Sequence, residues 1–374
     1  STMDSPSSRP PNLPLRIGSV VLTIVALSRP CVASEAWPMG VGVSLAGAEF
    51  GMVERNLSNV SPGVHGVDYL YNSPTTSRHV AVSGFQLVRV PFRWERIQPR
   101  LGASLDPAEL ERLESTVDSA AQHGLKVILD LHNYCRYRID TSQEVVEAIV
   151  DEPINGKPAV RRDHLADLWR RLALKFRSHP GVLAYGIMNE PHDMGNSSWK
   201  EISQVVVDAV RSVDEHSWVC VAGDDWSHAD RFEEINGPRA WIRDPAGRTV
   251  YEAHCYFDFD GSGRYRLSYD DELRLDKGLL QRGNTRIASF VQWLDRNNAH
   301  GILGEVGIPV GDRRWVALMK DLSRNAERHN IPLVVWAAGE WWGDYPLSIQ
   351  PLLEPGKPTA LESLGLADVI EATR

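Results

Sequence analysis

Two glutamates in this chain stand where a catalytic pair could form, because each follows a short apolar segment. Glu190 comes directly after Asn189 in Gly-Ile-Met-Asn-Glu-Pro at 186–191, and Glu305 comes directly after Gly-Ile-Leu-Gly. Both apolar segments predict buried strands, and the proline that follows the first is expected to end it. A carboxyl group beside an amide suits a general acid. Since the two glutamates lie far apart in the chain, they can meet only in a fold that gathers strand ends in one place.

The elements that would position the glutamates are eight short, mostly apolar segments, which predict strands buried on both faces. They are 41–47, 86–91, 126–131, 183–188, 218–222, 249–254, 301–305 and 333–336. Helical spacing separates them, as in Leu110, Leu113 and Val117, so strand and helix alternate. We predict an α/β fold, the (β/α)8 TIM barrel, in which catalytic residues collect at the carboxyl ends of the strands. An open doubly wound sheet is the alternative, but the glycine-rich phosphate-binding fingerprint that often opens one is missing.

Composition favours one large catalytic domain over 37–374. The chain has 374 residues, of which 43% are hydrophobic, and α/β barrels of this size commonly fold as one unit. The net charge is −9 and basic residues do not cluster, so we expect no nucleic-acid partner, and we expect a monomer. Cys135, Cys220 and Cys255 lack the spacing of a metal site and predict packing roles. We predict neither a metal nor another cofactor.

Residues 1–36 differ from the rest of the chain. Ser1 and Thr2 stand before Met3 as a cloning remnant would. Arg16 then precedes an apolar stretch at 17–27, and small residues at 32–36 supply candidate cleavage points, which is typical of a secretory signal peptide. The stretch is too short to span a membrane. We therefore predict a secreted or periplasmic protein, and a disordered tail is the alternative explanation of this segment.

Eight residues at predicted strand ends give the chain a family resemblance. It resembles the cellulase-type family, glycoside hydrolase family five, over residues 40–352. The matching residues, in the family's order, are Arg89 in Val-Arg-Val-Pro-Phe, His132 in Leu-Asp-Leu-His-Asn-Tyr, Asn189 and Glu190, His254 and Tyr256 in Glu-Ala-His-Cys-Tyr, Glu305, and Trp336. The resemblance implies a barrel enzyme in which Glu190 is the acid/base and Glu305 the nucleophile.

The chemistry of cleaving a glycosidic bond with retention gives the carboxyl groups matching roles. One carboxylic acid protonates the leaving oxygen while a carboxylate about 5–5.5 Å away attacks the anomeric carbon. Glu190 should therefore start protonated and Glu305 ionised. Arg89 and Tyr256 are suited to keep Glu305 ionised, since both donate hydrogen bonds to the charged form.

The remaining candidates are expected to hold the acid or the sugar. His254 is expected to hold Glu190, and Asn189 to bind the sugar 2-hydroxyl. His132 would help to shape the subsite beside the scissile bond. The candidates for direct substrate binding are Trp336, Asn133 and Trp342. Trp342 lies in a segment that resembles an aromatic sugar platform, although a loop folded over the barrel would have the same composition.

We predict a secreted retaining endo-glycosidase that hydrolyses β-1,4-glucan, such as cellulose or carboxymethyl-cellulose, by double displacement. An endo-β-1,4-mannanase or another β-glycanase is the alternative enzyme, because the eight shared residues do not separate polysaccharide specificities. A non-catalytic carbohydrate-binding barrel is the alternative of another class, and the presence of both glutamates argues against it.

Overall fold

Eight parallel strands close into a barrel, as predicted. The computed structural model describes residues 36–38, 40–355 and 359–372, so nearly all of the predicted signal peptide lies outside the described residues. The barrel strands are β1 Val41–Leu45, β2 Leu87–Phe92, β3 Lys126–Leu131, β4 Val182–Gly186, β5 Trp218–Ala222, β6 Thr249–His254, β7 His300–Val306 and β8 Leu333–Ala338. Each strand pairs in parallel with its sequence neighbours, and β8 closes the barrel onto β1. All eight predicted strands are found, with ends that differ by a few residues.

Helices alternate with these strands. They are α1 Pro74–Val82, α2 Trp94–Ile97, α3 Pro107–Gln122, α4 Arg162–Phe176, α5 Trp199–Arg211, α6 Phe232–Asn236, α7 Tyr269–Leu275, α8 Arg282–Asn297, α9 Val316–Arg328, α10 Ala360–Leu364 and α11 Ala367–Ala372. Local signals set their ends: the Asp106 side chain caps α3 by accepting from the N–H of Glu109 at 2.9 Å. In the described part of the chain, none of the helices is long and apolar enough to cross a membrane.

Alternate residues of the strands point into the barrel, and this period of two builds the interior in layers. An apolar cluster near the strand starts includes Leu87, Ile128, Val250 and Val334. Two residues farther along the same strands stand Arg89, Asp130, Glu252 and Trp336. The three charged residues of this second layer are at most 4% exposed. They lie on an apolar floor away from water, so they are stable only if their charges are paired.

The sequence patterns do not predict the insertion that follows β3. Its strands Arg136–Asp140 and Val145–Ile149 form an antiparallel hairpin, and a second, shorter pair follows at Pro153–Ile154 and Lys157–Pro158. Arg138 fastens the hairpin, because its guanidinium contacts Glu147 at 2.8 Å across the two strands. Each hairpin strand has only five residues, and although Arg136–Asp140 alternates polar and apolar residues, Val145–Ile149 does not, so the pair gives only a short periodic signal.

Trp37 packs against the apolar cluster at the strand starts. Its indole N–H donates to the carbonyl of Gly301 at 3.2 Å, and its ring centroid lies 5.4 Å from that of Trp218. Trp37, the second of the described residues, therefore belongs to the barrel floor.

We expect Trp37→Ala to lower the free energy of unfolding by about 2 kcal/mol, because it removes a large, partly buried ring from the barrel floor. Urea unfolding followed by circular dichroism measures this change. Trp341→Ala is the matched control, since the Trp341 side chain is 40% exposed, and it should change stability by less than about 0.5 kcal/mol. Equal losses in the two variants would contradict a packing role for Trp37.

Candidate active site

The guanidinium of Arg89 lies at the centre of the charged layer. Its Nη1 contacts Glu305 Oε2 at 3.0 Å and Asp130 Oδ2 at 3.2 Å. Its Nη2 donates to Asn189 Oδ1 at 2.7 Å and lies 3.2 Å from Glu252 Oε1. One side chain on β2 therefore joins residues from four other strands or strand ends, and it fixes Glu305 and the amide of Asn189 relative to each other.

His132 is held by Asp130, which lies two residues earlier in the chain. The ring Nδ1 lies 2.8 Å from Asp130 Oδ2, and the ring stacks on Trp336 with centroids 5.5 Å apart and an interplanar angle of 12°. Burial opposes a charge on this ring, but the carboxylate of Asp130 raises the pKa of His132 above its ordinary value. Asp130 thus orients the histidine and favours its cationic form.

His254 bridges two carboxylates. Its Nδ1 lies 2.7 Å from Glu190 Oε2, and its Nε2 lies 2.7 Å from Glu252 Oε1. Burial opposes a charge here too, but the carboxylates of Glu305, Glu190 and Glu252 raise the pKa of His254 to about 10. At neutral pH the ring therefore carries both protons and donates to a carboxyl oxygen on each side. Because Glu190 Oε2 is occupied in this way, its other carboxyl oxygen is left for a ligand.

Glu305, near the end of β7, is held by two donors. Tyr256 donates its hydroxyl to Oε1 at 2.7 Å, and Arg89 donates to Oε2 at 3.0 Å. Burial by itself would raise the pKa of Glu305, but the charges of His254 and Arg89 and the hydrogen bond from Tyr256 lower it below its ordinary value. Burial and the neighbouring charge of Glu305 raise the pKa of Tyr256 well above its usual range, so the phenol stays a donor. Glu305 is therefore ionised at neutral pH.

Two glycines leave the space that this arrangement needs. A Cβ on Gly304 would lie 2.1 Å from Glu252 Oε1, so any side chain there would displace the carboxylate beneath His254. Gly263, with φ +75°, packs against the ring of Tyr256, and a Cβ there would lie 2.9 Å from ring carbons. Both positions let the polypeptide approach a site residue closely.

The two glutamates are close together but differ in their access to solvent. An oxygen of each, and a nitrogen of His254, all lie within 4.8 Å of one another. The Glu190 side chain is 16% exposed and that of Glu305 is 6% exposed, so Glu190 is the one that opens toward the cleft. These three residues have the ligand types of a metal site, but the cationic His254 and Arg89 beside them would repel a divalent ion. That no metal is needed therefore stays our prediction.

A row of ring contacts runs along the cleft. The successive centroid distances are Trp226–Tyr134 5.9 Å, Tyr134–His132 5.4 Å, His132–Trp336 5.5 Å, Trp336–Trp342 5.9 Å and Trp342–Phe50 4.7 Å. All six rings line one cavity of about 820 Å³. Flat apolar rings with polar groups between them suit the faces and hydroxyls of sugar units.

The structure brings together both predicted glutamates and the five residues expected to support them, and it places Trp336 and Trp342 in the cleft wall. Asn133 does not reach the cleft. It is 1% exposed, its Oδ1 accepts from the N–H of Trp94, and its Nδ2 donates to Glu95 and to the carbonyl of Arg136. The expectation that Asn133 binds substrate is therefore wrong, because its amide hydrogen-bonds to Trp94, Glu95 and Arg136 and so connects the segment after β2 to the hairpin.

The predicted site residues omit two buried carboxylates and three rings of the aromatic row, those of Tyr134, Trp226 and Phe50. Asp130 and Glu252 were not among the predicted site residues, although each stands two residues before a predicted histidine and so on the same face of its strand. That spacing is the signal that would have found them. Tyr134 joins Trp226 to His132 in the aromatic row, but it lies in an irregular turn that no periodic pattern marks.

The strand ends of this (β/α)8 barrel bring two carboxyl groups close together among histidine, arginine and aromatic side chains. This is the fold and the type of site found in glycoside hydrolases. The family model "Cellulase (glycosyl hydrolase family 5)" matches residues 43–340. The chain belongs to glycosyl hydrolase family 5.

Relatives and solved structures of this family resemble the chain over most of its length. The endoglucanase Cel5A of Pseudomonas stutzeri is 35% identical, with a TM-score of 0.74 over 88% of this chain and 96% of that one. The endo-beta-1,4-glucanase Xac0029 of Xanthomonas axonopodis pv. citri is 29% identical, with a TM-score of 0.75 over 90% of this chain and 100% of that one. The probable endo-beta-1,4-glucanase B of Neosartorya fischeri is 29% identical over 365 residues, which cover 96% of this chain and 99% of the relative.

We expect Arg89→Met to lower the free energy of unfolding by about 3–5 kcal/mol at pH 7, because it leaves three buried carboxylates without their shared partner. Although burial opposes it, pairing holds the pKa values of Asp130 and Glu305 below their ordinary range. The stability that this pairing contributes is present above the unfolded pKa values of about 4 and is lost as the pH falls through the lower folded values. The difference between variant and wild type should therefore shrink on acidification, as measured by urea unfolding over a pH series.

Arg55→Met is the control for the Arg89 variant. Arg55 pairs with Asp68 at 2.8 Å, but its side chain is 55% exposed, so its loss should change stability by less than about 1 kcal/mol. A loss in Arg89→Met no larger than the control, or one that does not change with pH, would contradict the pairing argument.

Proposed function

We propose that this protein is a retaining endo-β-1,4-glucanase that acts by double displacement, with Glu305 as nucleophile and Glu190 as acid/base. The observation that carries the proposal is that an ionised, doubly hydrogen-bonded Glu305 lies within 4.8 Å of a more accessible Glu190. Carboxyl groups about 5–5.5 Å apart are typical of retaining enzymes, whereas inverting enzymes need about 6.5–9.5 Å to hold a water molecule.

In the first step Glu305 attacks the anomeric carbon and the bond from that carbon to the leaving oxygen breaks. Glu190 gives its proton to the leaving oxygen, so the shortened chain departs as an alcohol and a glycosyl ester remains on Glu305. His254 donates to Oε2 of Glu190 and so turns the protonated oxygen toward the leaving group. Arg89 and Tyr256 hold the carboxylate of Glu305 in place before the attack. Formation of the ester then neutralises its negative charge.

In the second step water replaces the sugar on Glu305. Glu190, now a carboxylate, takes a proton from the water, which attacks the anomeric carbon and releases Glu305. Two displacements at the same carbon restore the original anomeric configuration. The cationic His254 supports the ionised Glu190 between the steps, since it donates to that carboxylate at 2.7 Å.

Asn189 is suited to bind the sugar 2-hydroxyl. Arg89 occupies its Oδ1 at 2.7 Å, so the amide cannot flip and its NH₂ group keeps a fixed direction. A donor held in this way contributes more in the transition state than in the ground state, because it needs no reorganisation as charge develops on the sugar.

A β-1,4-glucan is the proposed substrate. The similar Cel5A of Pseudomonas stutzeri has been crystallised with cellobiose, and the similar XacCel5A with cellopentaose. The row of rings in this chain suits a linear chain of flat, equatorially substituted sugar units. We also propose that the protein is secreted, on the support of the signal-peptide pattern in residues 1–36.

Reducing-sugar release from carboxymethyl-cellulose, galactomannan and xylan, assayed in parallel, tests the substrate. We expect the highest kcat/KM on carboxymethyl-cellulose. A preference for galactomannan would make the protein a mannanase, and measurable binding without turnover of any of the three would favour a sugar-binding barrel.

Glu190→Gln should lower kcat/KM on cello-oligosaccharides about 10³-fold, because the amide keeps the shape of the acid but has no proton to give. Activity on 2,4-dinitrophenyl β-cellobioside, whose leaving group needs little protonation, should fall far less. Glu54→Gln, on an exposed carboxylate that also lines the cleft, should leave both rates within about twofold. Equal losses on the two substrates in Glu190→Gln would count against its role as the acid.

A further inference from the structure

Glu252 is a buried carboxylate that takes no direct part in the two displacement steps. It stands two residues before His254 on β6, so both side chains point into the barrel. It is 4% exposed, and its Oε1 lies 2.7 Å from Nε2 of His254 and 3.2 Å from Nη2 of Arg89. The other ring nitrogen of His254 lies 2.7 Å from Glu190. The ring therefore stands between Glu252 on one side and Glu190 on the other.

The position of Glu252 is fixed from two directions. Its backbone carbonyl accepts from the hydroxyl of Ser227 at 2.5 Å. Its carboxylate fills the space that Gly304 leaves on the neighbouring strand, where a Cβ would lie 2.1 Å from Oε1. The carboxylate oxygen is thus held against Nε2 of His254 by both neighbours.

The protons on the ring of His254 decide how Glu190 carries its own proton. A doubly protonated ring donates from both nitrogens, whereas a neutral ring has one donor and one acceptor. A neutral ring that kept its proton on Nε2 would turn an unprotonated Nδ1 toward Oε2 of Glu190. That nitrogen would accept a hydrogen bond from the protonated carboxyl and draw the acidic proton to the oxygen that faces away from the leaving group.

Glu252 is the anion best placed to keep both protons on this ring. Glu190 is protonated when the first step begins, so it offers no charge at that moment. The nearer oxygen of Glu305 lies 3.6 Å from Nδ1, beyond hydrogen-bond distance, and Arg89 binds the same oxygen at 3.0 Å. Burial opposes a charge on His254, and the carboxylates of Glu305, Glu190 and Glu252 raise its pKa to about 10. The other charged side chains that act on this part of the layer come from four further strands or strand ends: Glu190, Glu305, Arg89 and Asp130.

We propose that Glu252 is a positioning residue, which keeps the second proton on His254 so that the acidic proton of Glu190 stays on the oxygen that faces the leaving group. This inference rests on the proposed function, in which Glu190 is the acid. In the first step that oxygen gives its proton to the leaving oxygen. In the second step it takes a proton from water, while Nδ1 of His254 still donates to Oε2. The ring thus holds one orientation and one set of protons through both steps.

Glu252→Gln keeps the shape of the side chain and removes its charge. Arg89 can only donate, so the amide oxygen should stay at the position of Oε1 and Nε2 of His254 should keep its proton. We expect kcat/KM on cello-oligosaccharides to fall about 30-fold, because the acid is misdirected. On 2,4-dinitrophenyl β-cellobioside, which needs little protonation, kcat/KM should stay within about threefold of wild type. Equal losses on the two substrates would mean that Glu252 only supports the structure, and would overturn the proposal.

Nitrogen-15 NMR of the histidine rings reads the proton positions directly. The His254 signals are assigned by their absence from the spectrum of His254→Gln. In the wild-type enzyme both ring nitrogens should be protonated at about pH 8, and in Glu252→Gln the Nδ1 signal should move to the position of an unprotonated nitrogen. A doubly protonated His254 in that variant at the same pH would overturn the proposal.

Gly304→Ala tests the contact without removing the charge. The added Cβ takes the position of Oε1 of Glu252, so the carboxylate must leave Nε2 of His254, and we expect the same selective loss on cello-oligosaccharides. This variant decides the question if Glu252→Gln does not fold, as judged by urea unfolding. Glu272→Gln is the matched control, since Glu272 is also buried and bound to an arginine, Arg282, at 2.5 Å. It lies on α7, and both values of kcat/KM should stay within about twofold.

The Glu190→Gln variant separates this inference from the proposed function. A selective loss on cello-oligosaccharides in Glu190→Gln, together with equal losses on both substrates in Glu252→Gln and Gly304→Ala, would remove only the role of Glu252. A wild-type enzyme that cleaves neither substrate would instead remove the proposed function, and the role of Glu252 with it.

Discussion

The buried guanidinium of Arg89 is the interaction on which the rest of the site depends. Three carboxylates, those of Asp130, Glu252 and Glu305, surround it at 3.0–3.2 Å, on an apolar floor where unpaired charge would cost several kcal/mol per group. One cation cannot neutralise three anions. His254 adds a second positive charge, since neighbouring carboxylates raise its pKa to about 10 against the effect of burial, and Asp130 raises the pKa of His132 above its ordinary value.

These positive charges explain why Glu305 can stay ionised although it is buried. Its donors are side chains whose positions are already fixed by other contacts, so little reorganisation is needed when the charge on Glu305 changes during a reaction. Glu190 lies at the edge of the layer, is more exposed than Glu305, and is joined to the layer through His254. The separation gives the two carboxyl groups different environments within a short distance, which is what an acid and a nucleophile require. Gly304 and Gly263 support the same arrangement, because a side chain at Gly304 would displace Glu252 and one at Gly263 would displace Tyr256.

The strands and most of the site could be predicted from the sequence because both follow simple rules. Short apolar segments mark strands that are buried on both faces, and polar residues directly after them, such as Glu190, lie where the barrel gathers its strand ends. The eight-residue resemblance supplied the partners of the two glutamates. Position alone was misleading for Asn133, which follows β3 like His132 but turns inward to Glu95.

What the sequence did not reveal depends on contacts between distant segments. Asp130 and Glu252 look like ordinary strand residues until Arg89 is placed between them. The two strands of the hairpin after β3 are only five residues long and are held together across the turn by Arg138 and Glu147. The different exposures of Trp341 and Trp342 follow from the packing of Trp342 on Phe50, which lies far away in the chain.

The most direct test of this account is to trap the enzyme with an activated 2-deoxy-2-fluoro-cellobioside and to locate the added mass by peptide mass spectrometry. The tryptic peptide 297–313 contains only two side-chain carboxyl groups, those of Glu305 and Asp312, and fragment ions distinguish them. The account predicts one fluoro-cellobiosyl group on Glu305, formed as activity is lost. A label on another residue, or an enzyme that turns over substrate but is never labelled, would contradict the claim that the charged layer around Arg89 holds Glu305 as the nucleophile.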